Sequence, residues 1–252
     1  MVVGYMILDM GLPILLAIAV ASFATGLLHG ATGMAGGVVM AAILAHLIGI
    51  KAAVPVMTIA LIFSHLSRAV MYVRETDWTV AGRVLLFGGP MIVVGAVIFS
   101  RISATAVAIV FAAFLMCSFP VKRWARRNKI ETGPKVLASA SVVWGLLAGN
   151  VIGPGFFLAP FLLGTGMNRL TFVGTLATIT LVMNILKVSV FGFTELVHLE
   201  TIILGVAIGL ISIPGNWVGR NVLKGMQDSD HHTIIDALTV MMIVNFIYIA
   251  IE

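Results

Sequence analysis

The sequence is short of charged residues and of cysteine. Only 10 % of its 252 residues are charged, and Cys117 is the single cysteine. An ordinary soluble domain has roughly 25 % charged residues. No intrachain disulfide can form, and there is too little polar surface to cover a water-soluble core. The composition therefore excludes an ordinary soluble domain.

Motifs for several kinds of chemistry are also missing. There is no His-Glu-x-x-His metal site, no nucleophile turn of the Gly-x-Ser-x-Gly type and no phosphate-binding loop that ends in Lys-Ser/Thr. A polar cluster formed by Asp228, Asp230, His231 and His232 lacks regular metal-ligand spacing, and we interpret it as a solvated loop. We predict a protein that is not an enzyme and that uses neither a metal nor a cofactor.

The net charge of +5 is not spread over a basic surface, which argues against nucleic acid as a partner. Most of the excess lies in one loop, predicted over 121–135, that separates two long apolar regions. This pattern is typical of a cytoplasmic connection between membrane spans. The basic residues of this loop are Lys122, Arg123, Arg126, Arg127, Lys129 and Lys135.

Apolar residues make up 60 % of the chain, in continuous runs of helical length rather than alternating ten-residue strands. The runs predict an all-α polytopic membrane protein with 8–10 transmembrane or re-entrant helices. No Lys or Arg precedes Lys51, so we expect the first run to be a retained span and not a cleaved signal peptide. The predicted segments are approximately 7–28, 34–50, 54–73, 80–99, 103–120, 136–150, 155–167, 170–193, 199–221 and 234–251.

Two of these segments, 136–150 and 155–167, are shorter than the roughly 20 residues of a straight span. They meet at Gly153-Pro154-Gly155. Proline lacks an amide donor and glycine relaxes the backbone, so this junction predicts a broken or re-entrant helix inside the membrane.

The chain repeats itself at a spacing of 119 residues. Gly26-Leu-Leu-His-Gly30 recurs as Gly145-Leu-Leu-Ala-Gly149, and the same spacing relates Gly36 to Gly155, His65 to Asn184 and Arg68 to Lys187. Pro90 and Gly95 match Pro214 and Gly219 at 124 residues. We predict one membrane domain made of two repeats, about 7–120 and about 136–252.

Five segments per repeat would make the two repeats enter the membrane from opposite sides. Basic residues outside the spans fit this arrangement if both termini are periplasmic, because most of them then lie in the cytoplasm. Those on the cytoplasmic side are Arg74, Arg83, the 121–135 loop, Arg169, Arg220 and Lys224, whereas Lys51 and Arg101 lie outside with Glu195, His198, Glu200 and Glu252.

Glycine-rich breaks at matching positions of two repeats are typical of transporter substrate sites, where helix N-termini and free amides face an anion. The alternative is that the glycines only allow close helix packing. We take Gly33, Gly36, Gly37, Gly153 and Gly155 as candidates for binding.

Arg68 and Lys187 are cations within or near the ends of apolar segments, where a charge costs about 2.5–3.5 kcal/mol. We predict that both bind the anion; for Arg68 the alternative is a side chain that reaches the membrane interface. His29, His65, Asn150 and Asn184 are further candidate donors, although each could instead bond a neighbouring helix. A histidine could also carry a coupling proton.

The Gly-Leu-Leu-x-Gly repeats with their breaks, the run from Arg68 through Tyr72, Arg74 and Asp77-Trp78, and Gly89-Pro90 with Gly95 together resemble the sulfite exporter TauE/SafE family. The resemblance covers about Ala21 to the last span. It implies a bacterial inner-membrane permease for sulfite, for sulfonates such as sulfoacetate, or for related small anions.

The resulting hypothesis is a secondary transporter in the lipid bilayer, with a small sulfur-containing anion as its substrate. The alternatives are a permease for another small anion, a membrane-embedded enzyme and a scaffold. Oligomeric state, the coupling ion and the direction of transport have no determinant in the sequence, and a homo-oligomer stays open.

Overall fold

The computed structural model describes residues 10–127, 131–225 and 228–251, and within them the chain is helical without a strand. This confirms the predicted all-α polytopic fold. The ten helices are α1 (Leu12–Thr32), α2 (Ala35–Ile48), α3 (Ile50–Met71), α4 (Trp78–Arg101), α5 (Ala104–Arg127), α6 (Pro134–Asn150), α7 (Gly155–Leu163), α8 (Arg169–Phe193), α9 (Leu199–Gly225) and α10 (Asp228–Ile251).

Two polar segments differ from the predicted loops. The backbone is helical as far as Arg127, so the basic run continues α5 instead of starting a loop. The interpretation of Asp228 to His232 as a loop is wrong, since α10 begins at Asp228. Acidic residues suit the first turn of a helix, where they meet the free amides. The side chains of 228–233 lie outside the described residues.

Helices α1, α3, α4, α8 and α9 are long and apolar enough to cross a bilayer. Large apolar side chains on their outer faces are exposed, and Phe193, at the end of α8, is 91 % exposed. Polar side chains such as Ser22, Thr58 and Asn216 are buried instead. This reversal of the water-soluble pattern identifies lipid as the solvent of the outer surface.

Glycines bring two pairs of helices into backbone contact. A Cβ atom on Gly26 or Gly30 of α1 would lie within 3.0 Å of the Cα of Ser212 or Asn216 in α9. Gly145 of α6 makes the same kind of contact with Gly88 of α4. Half of each glycine-rich run is therefore used for packing, as the alternative interpretation holds.

Helix packing follows the predicted repeat. Each helix of the first repeat has its counterpart five helices later. When every helix is replaced by its counterpart, the principal contacts map onto one another: α1–α9 onto α6–α4, α3–α9 onto α8–α4, and α2–α10 onto α7–α5. The correspondence extends to residues, because the Gly26–Ser212 contact becomes Gly145–Gly88 under the 119- and 124-residue spacings.

Six of the long helices form two sets, and the helices within each set are parallel. Along α1, Gly26 and Gly30 meet Ser212 and then Asn216, so α1 is parallel to α9. The same ordering of contacts makes α9 parallel to α3, and α6 and α8 parallel to α4.

The two sets of parallel helices are opposed to each other. Tyr72, just after α3, meets Gly174 near the start of α8. Lys51, near the start of α3, lies over Phe99, which stacks on Phe191 near the end of α8. Helices α3 and α8 are therefore antiparallel, and the two repeats are inverted with respect to each other.

Candidate functional site

The first break lies between α1 and α2. Gly33 ends α1 with a positive φ of 82°, a conformation that glycine adopts without the penalty of a Cβ atom. The chain then folds back, and the Gly37 amide donates a 3.0 Å hydrogen bond to Nδ1 of His29. This bond assigns the hydrogen of the neutral His29 ring to Nε2, which is buried and has no partner.

The second break lies between α6 and α7, where the sequence predicts it. Gly153 has a positive φ of 78°, Pro154 precedes the helix, and α7 extends only from Gly155 to Leu163. Asn150, at the end of α6, donates to the Leu146 carbonyl of its own helix at 2.9 Å, while its Oδ1 is buried without a partner.

The two breaks meet at one cavity between the halves of the protein. The cavity volume is about 20 Å³, which is enough for about one water molecule. It brings together six of the candidate residues and adds others that sequence reasoning did not identify. The lining is His29, Gly33, Met34, Gly37, Leu61, His65, Ile152, Gly153, Pro154, Gly155, Leu176, Thr180 and Met183.

Gly36 does not line this cavity. A Cβ atom there would collide with the Thr25 carbonyl and with His29 of α1. Because Gly36 has no side chain, α2 can fold back on α1, and this places Gly37 beside His29. Gly36 therefore has a packing role, and it also lines a second cavity of about 20 Å³ with Thr25, His29 and Ser64.

Arg68 is 2 % exposed and joins the first break to the histidines. Its Nη1 donates to the Gly33 carbonyl at 2.6 Å, and its Nη2 lies 2.5 Å from Nδ1 of His65. The His65 ring contacts the His29 ring edge-on, with 5.2 Å between their centroids. A cation at the carboxyl end of α1 is favourable because the free carbonyls carry negative charge there.

Lys187 makes the corresponding contact in the second half. Its side chain is 0 % exposed, and its Nζ donates to the Val151 carbonyl, at the end of α6, at 3.0 Å. Asn184, one turn earlier, donates to the Thr180 carbonyl of its own helix at 2.8 Å. Neither side chain is a lining residue of the cavity.

The two cations are therefore not brought together at a single point. Arg68 binds Gly33, which lies beside Val173 near the start of α8, whereas Lys187 is 14 residues farther along that helix. This is about 20 Å of helix. Each cation fixes the break of its own repeat, and each adds positive charge on one side of the cavity.

Thr180 is the polar lining residue that sequence reasoning missed. The repeat spacing places Leu61 at the corresponding position of the first half, and Leu61 also lines the cavity. A turn of helix separates Thr180 from Asn184, so a shared helix face was the available signal. The signal is weak because threonine is common in membrane helices and usually bonds its own helix.

Comparison with curated proteins and with solved structures finds no match. A family model does match: that of the sulfite exporter TauE/SafE family, over residues 18–246. The match covers nearly the whole chain, and it includes both breaks, the cavity and the two buried cations. The chain is thus a multi-pass membrane protein that belongs to the sulfite exporter TauE/SafE family, a family of membrane transporters.

Proposed function

We propose that this protein is a secondary transporter for a small sulfur-containing anion, either sulfite or an organosulfonate such as sulfoacetate. The observation that carries the proposal is the cavity where the two inverted breaks meet. Its wall includes two imidazoles, a threonine hydroxyl and the breaks at Gly33 and Gly153, and a cation stands behind each break. Hydrogen-bond donors and uncompensated positive charge suit an oxyanion.

The roles of the residues follow from their contacts. His29 offers its buried Nε2–H, and His65 lies between the cavity and the Arg68 guanidinium. Arg68 and Lys187 act from behind the breaks, through charge and through the carbonyls that they hold, and Asn150 and Asn184 support the same helix ends. In this proposal a histidine can also take up a coupling proton.

The cavity has room for about one water molecule, so a bound sulfonate requires the two breaks to separate. Inverted repeats provide the means for such a movement, because each half can open towards its own side while the other stays closed. We place the protein in the bacterial inner membrane with both termini periplasmic, because this orientation leaves most loop cations in the cytoplasm.

A permease for another small anion is the nearest alternative, since the same donors and charges suit other oxyanions. An anion panel in proteoliposomes separates the two. We expect saturable uptake of labelled sulfoacetate that unlabelled sulfite inhibits and that carboxylates of the same charge inhibit much less. Equal inhibition by all small anions would favour the alternative, and no saturable uptake of any of them would contradict the transporter proposal.

Lys187→Met and Lys51→Met form a matched pair for the same assay. Removing the buried Lys187 charge should abolish uptake and also lower the unfolding temperature somewhat, because the Val151 carbonyl then loses its donor. Lys51 instead donates to the Phe99 and Ile102 carbonyls at 2.6 and 2.9 Å, at the end of α4. Its loss should lower the unfolding temperature and leave the KM of uptake unchanged. Full uptake by a folded Lys187→Met protein would remove the lysine from the mechanism.

A further inference from the structure

A second group of donors lies at the end of α3, outside the cavity. Tyr72 follows α3, is 2 % exposed and donates its amide to the Arg68 carbonyl at 3.0 Å. The guanidinium carbon of Arg220, on α9, lies 5.1 Å from the centroid of the Tyr72 ring. Tyr72 also comes one helical turn after Arg68, so a second cation is close to it along the chain.

All three side chains have a buried donor that is not used. The Nε of Arg68, the hydroxyl of Tyr72 and the Nε of Arg220 have no hydrogen-bond partner. Within the described residues, neither guanidinium forms an ion pair with a carboxylate. Two acids follow Tyr72 in the chain: the Glu75 amide donates to the Tyr72 carbonyl at 3.0 Å, and Asp77 caps α4 by accepting from the Val80 amide at 2.9 Å. Buried donors are almost always satisfied in folded proteins, so these three are available to an acceptor that the described side chains do not supply.

The inverted half shows that the fold does not require this group. The repeat spacings place Phe191 where the first half has Tyr72, and Ala96 where the second half has Arg220. Phe191 stacks on Phe99 with 5.1 Å between their centroids, and the ammonium groups of Lys187 and Lys51 lie over these rings. Both lysines already donate to backbone carbonyls. The same helices therefore pack in both halves, but the cations beside the aromatic pair are bonded in one half and three donors are unused in the other.

We propose that Arg220, Tyr72 and Arg68 form a second anion-binding site, which holds the substrate oxyanion at one mouth of the transport path. The identity of the anion rests on the proposed function. Arg220 is only partly buried, while Arg68 also holds the Gly33 carbonyl at the cavity. An oxyanion accepts bonds from all three donors and passes from this site to the histidines. At the Phe99–Phe191 end the ammonium groups of Lys51 and Lys187 already donate to carbonyls, so the two mouths differ in affinity.

Kinetics of the Arg220→Gln and Tyr72→Phe variants test the site, with labelled sulfoacetate as the probe and flux measured in both directions. We expect the KM to rise about tenfold for Arg220→Gln and several-fold for Tyr72→Phe in one direction only, with Vmax and the unfolding temperature unchanged. Arg83→Gln and Tyr248→Phe remove the same groups elsewhere, from α4 and from an exposed position on α10, and should match the wild type.

The outcomes separate this site from the proposed function. If the wild type transports and both variants keep its KM, or lose only stability, the second site is wrong and the transporter stands. If the wild type does not transport, the proposed function fails, and equilibrium binding of sulfite to the purified protein decides the site. Binding that Arg220→Gln weakens supports the site, and binding that it leaves unchanged, or no binding, overturns it.

Discussion

At the scale of single residues, the buried polar groups separate into those that hold the backbone and those that face the cavity. Arg68 and Lys187 bond carbonyls at the ends of α1 and α6. His29, His65 and Thr180 line the space between the breaks. In the proposed transporter, the cations thus shape and charge the site, and the neutral groups touch the substrate.

Thr180→Val tests the contact with the substrate. The Thr180 hydroxyl donates to the Leu176 carbonyl at 2.6 Å, and it can rotate to donate to an anion. A hydrogen bond to a charged group contributes about 1.5–3 kcal/mol, so we expect the KM for sulfoacetate to rise at least tenfold.

Thr178→Val is the control for this substitution. Its hydroxyl donates to the Gly174 carbonyl four residues earlier, as Thr180 does to Leu176, but it does not line the cavity. The two variants should have similar unfolding temperatures, and only Thr180→Val should change the KM. An equal change in both would show that the threonines act through helix stability.

At the scale of the helices, the glycines divide into packing positions and break positions. Gly30 is a packing position, because a Cβ atom there would lie 2.8 Å from the Asn216 Cα of α9. Overpacking of this kind costs about 1–3 kcal/mol. We expect Gly30→Ala to lower the unfolding temperature of the purified protein clearly.

Gly82→Ala is the matched control on α4, since nothing lies within 4 Å of the added methyl group. Alanine is the better helix former by about 1 kcal/mol, so this variant should keep or raise the unfolding temperature. Equal destabilisation by Gly30→Ala and Gly82→Ala would mean that α1 and α9 are not in backbone contact.

At the scale of the helices, part of the fold and of the candidate site could be predicted from the sequence. The spacing of apolar residues, together with Gly153-Pro154-Gly155, predicts the ten helices and the second break closely, because both depend on local backbone chemistry. The same reasoning did not foresee the packing contact of Gly36 with α1, nor that Thr180 lines the cavity. Spacing along one helix tells which residues share a face, but not which neighbouring helix that face meets. For the same reason, the contact between Arg220 of α9 and Tyr72 at the end of α3 could not be predicted from the sequence.

At the scale of the whole molecule, the inverted repeats require the ends of α3 and α8 to lie on opposite sides of the membrane. In a Cys117→Ser background, Arg74→Cys and His198→Cys place single thiols at exposed positions after these helices. We expect a membrane-impermeant maleimide to label position 74 only from the cytoplasm and position 198 only from the periplasm. Labelling of both from one side would contradict the inverted arrangement.

The central claim is that the two breaks form one gated path for an anion. The Cβ atom of Met34 lies 3.7 Å from the position of a Cβ on Gly155, which is within the range of a disulfide. Met34→Cys with Gly155→Cys, in the Cys117→Ser background, should therefore form a bond across the breaks and hold the cavity closed. Sulfoacetate is the suitable probe, because sulfite itself cleaves disulfides. We predict that oxidation abolishes sulfoacetate flux, that a reductant restores it, and that neither single cysteine variant responds. Undiminished flux through the oxidised, cross-linked protein would contradict the account.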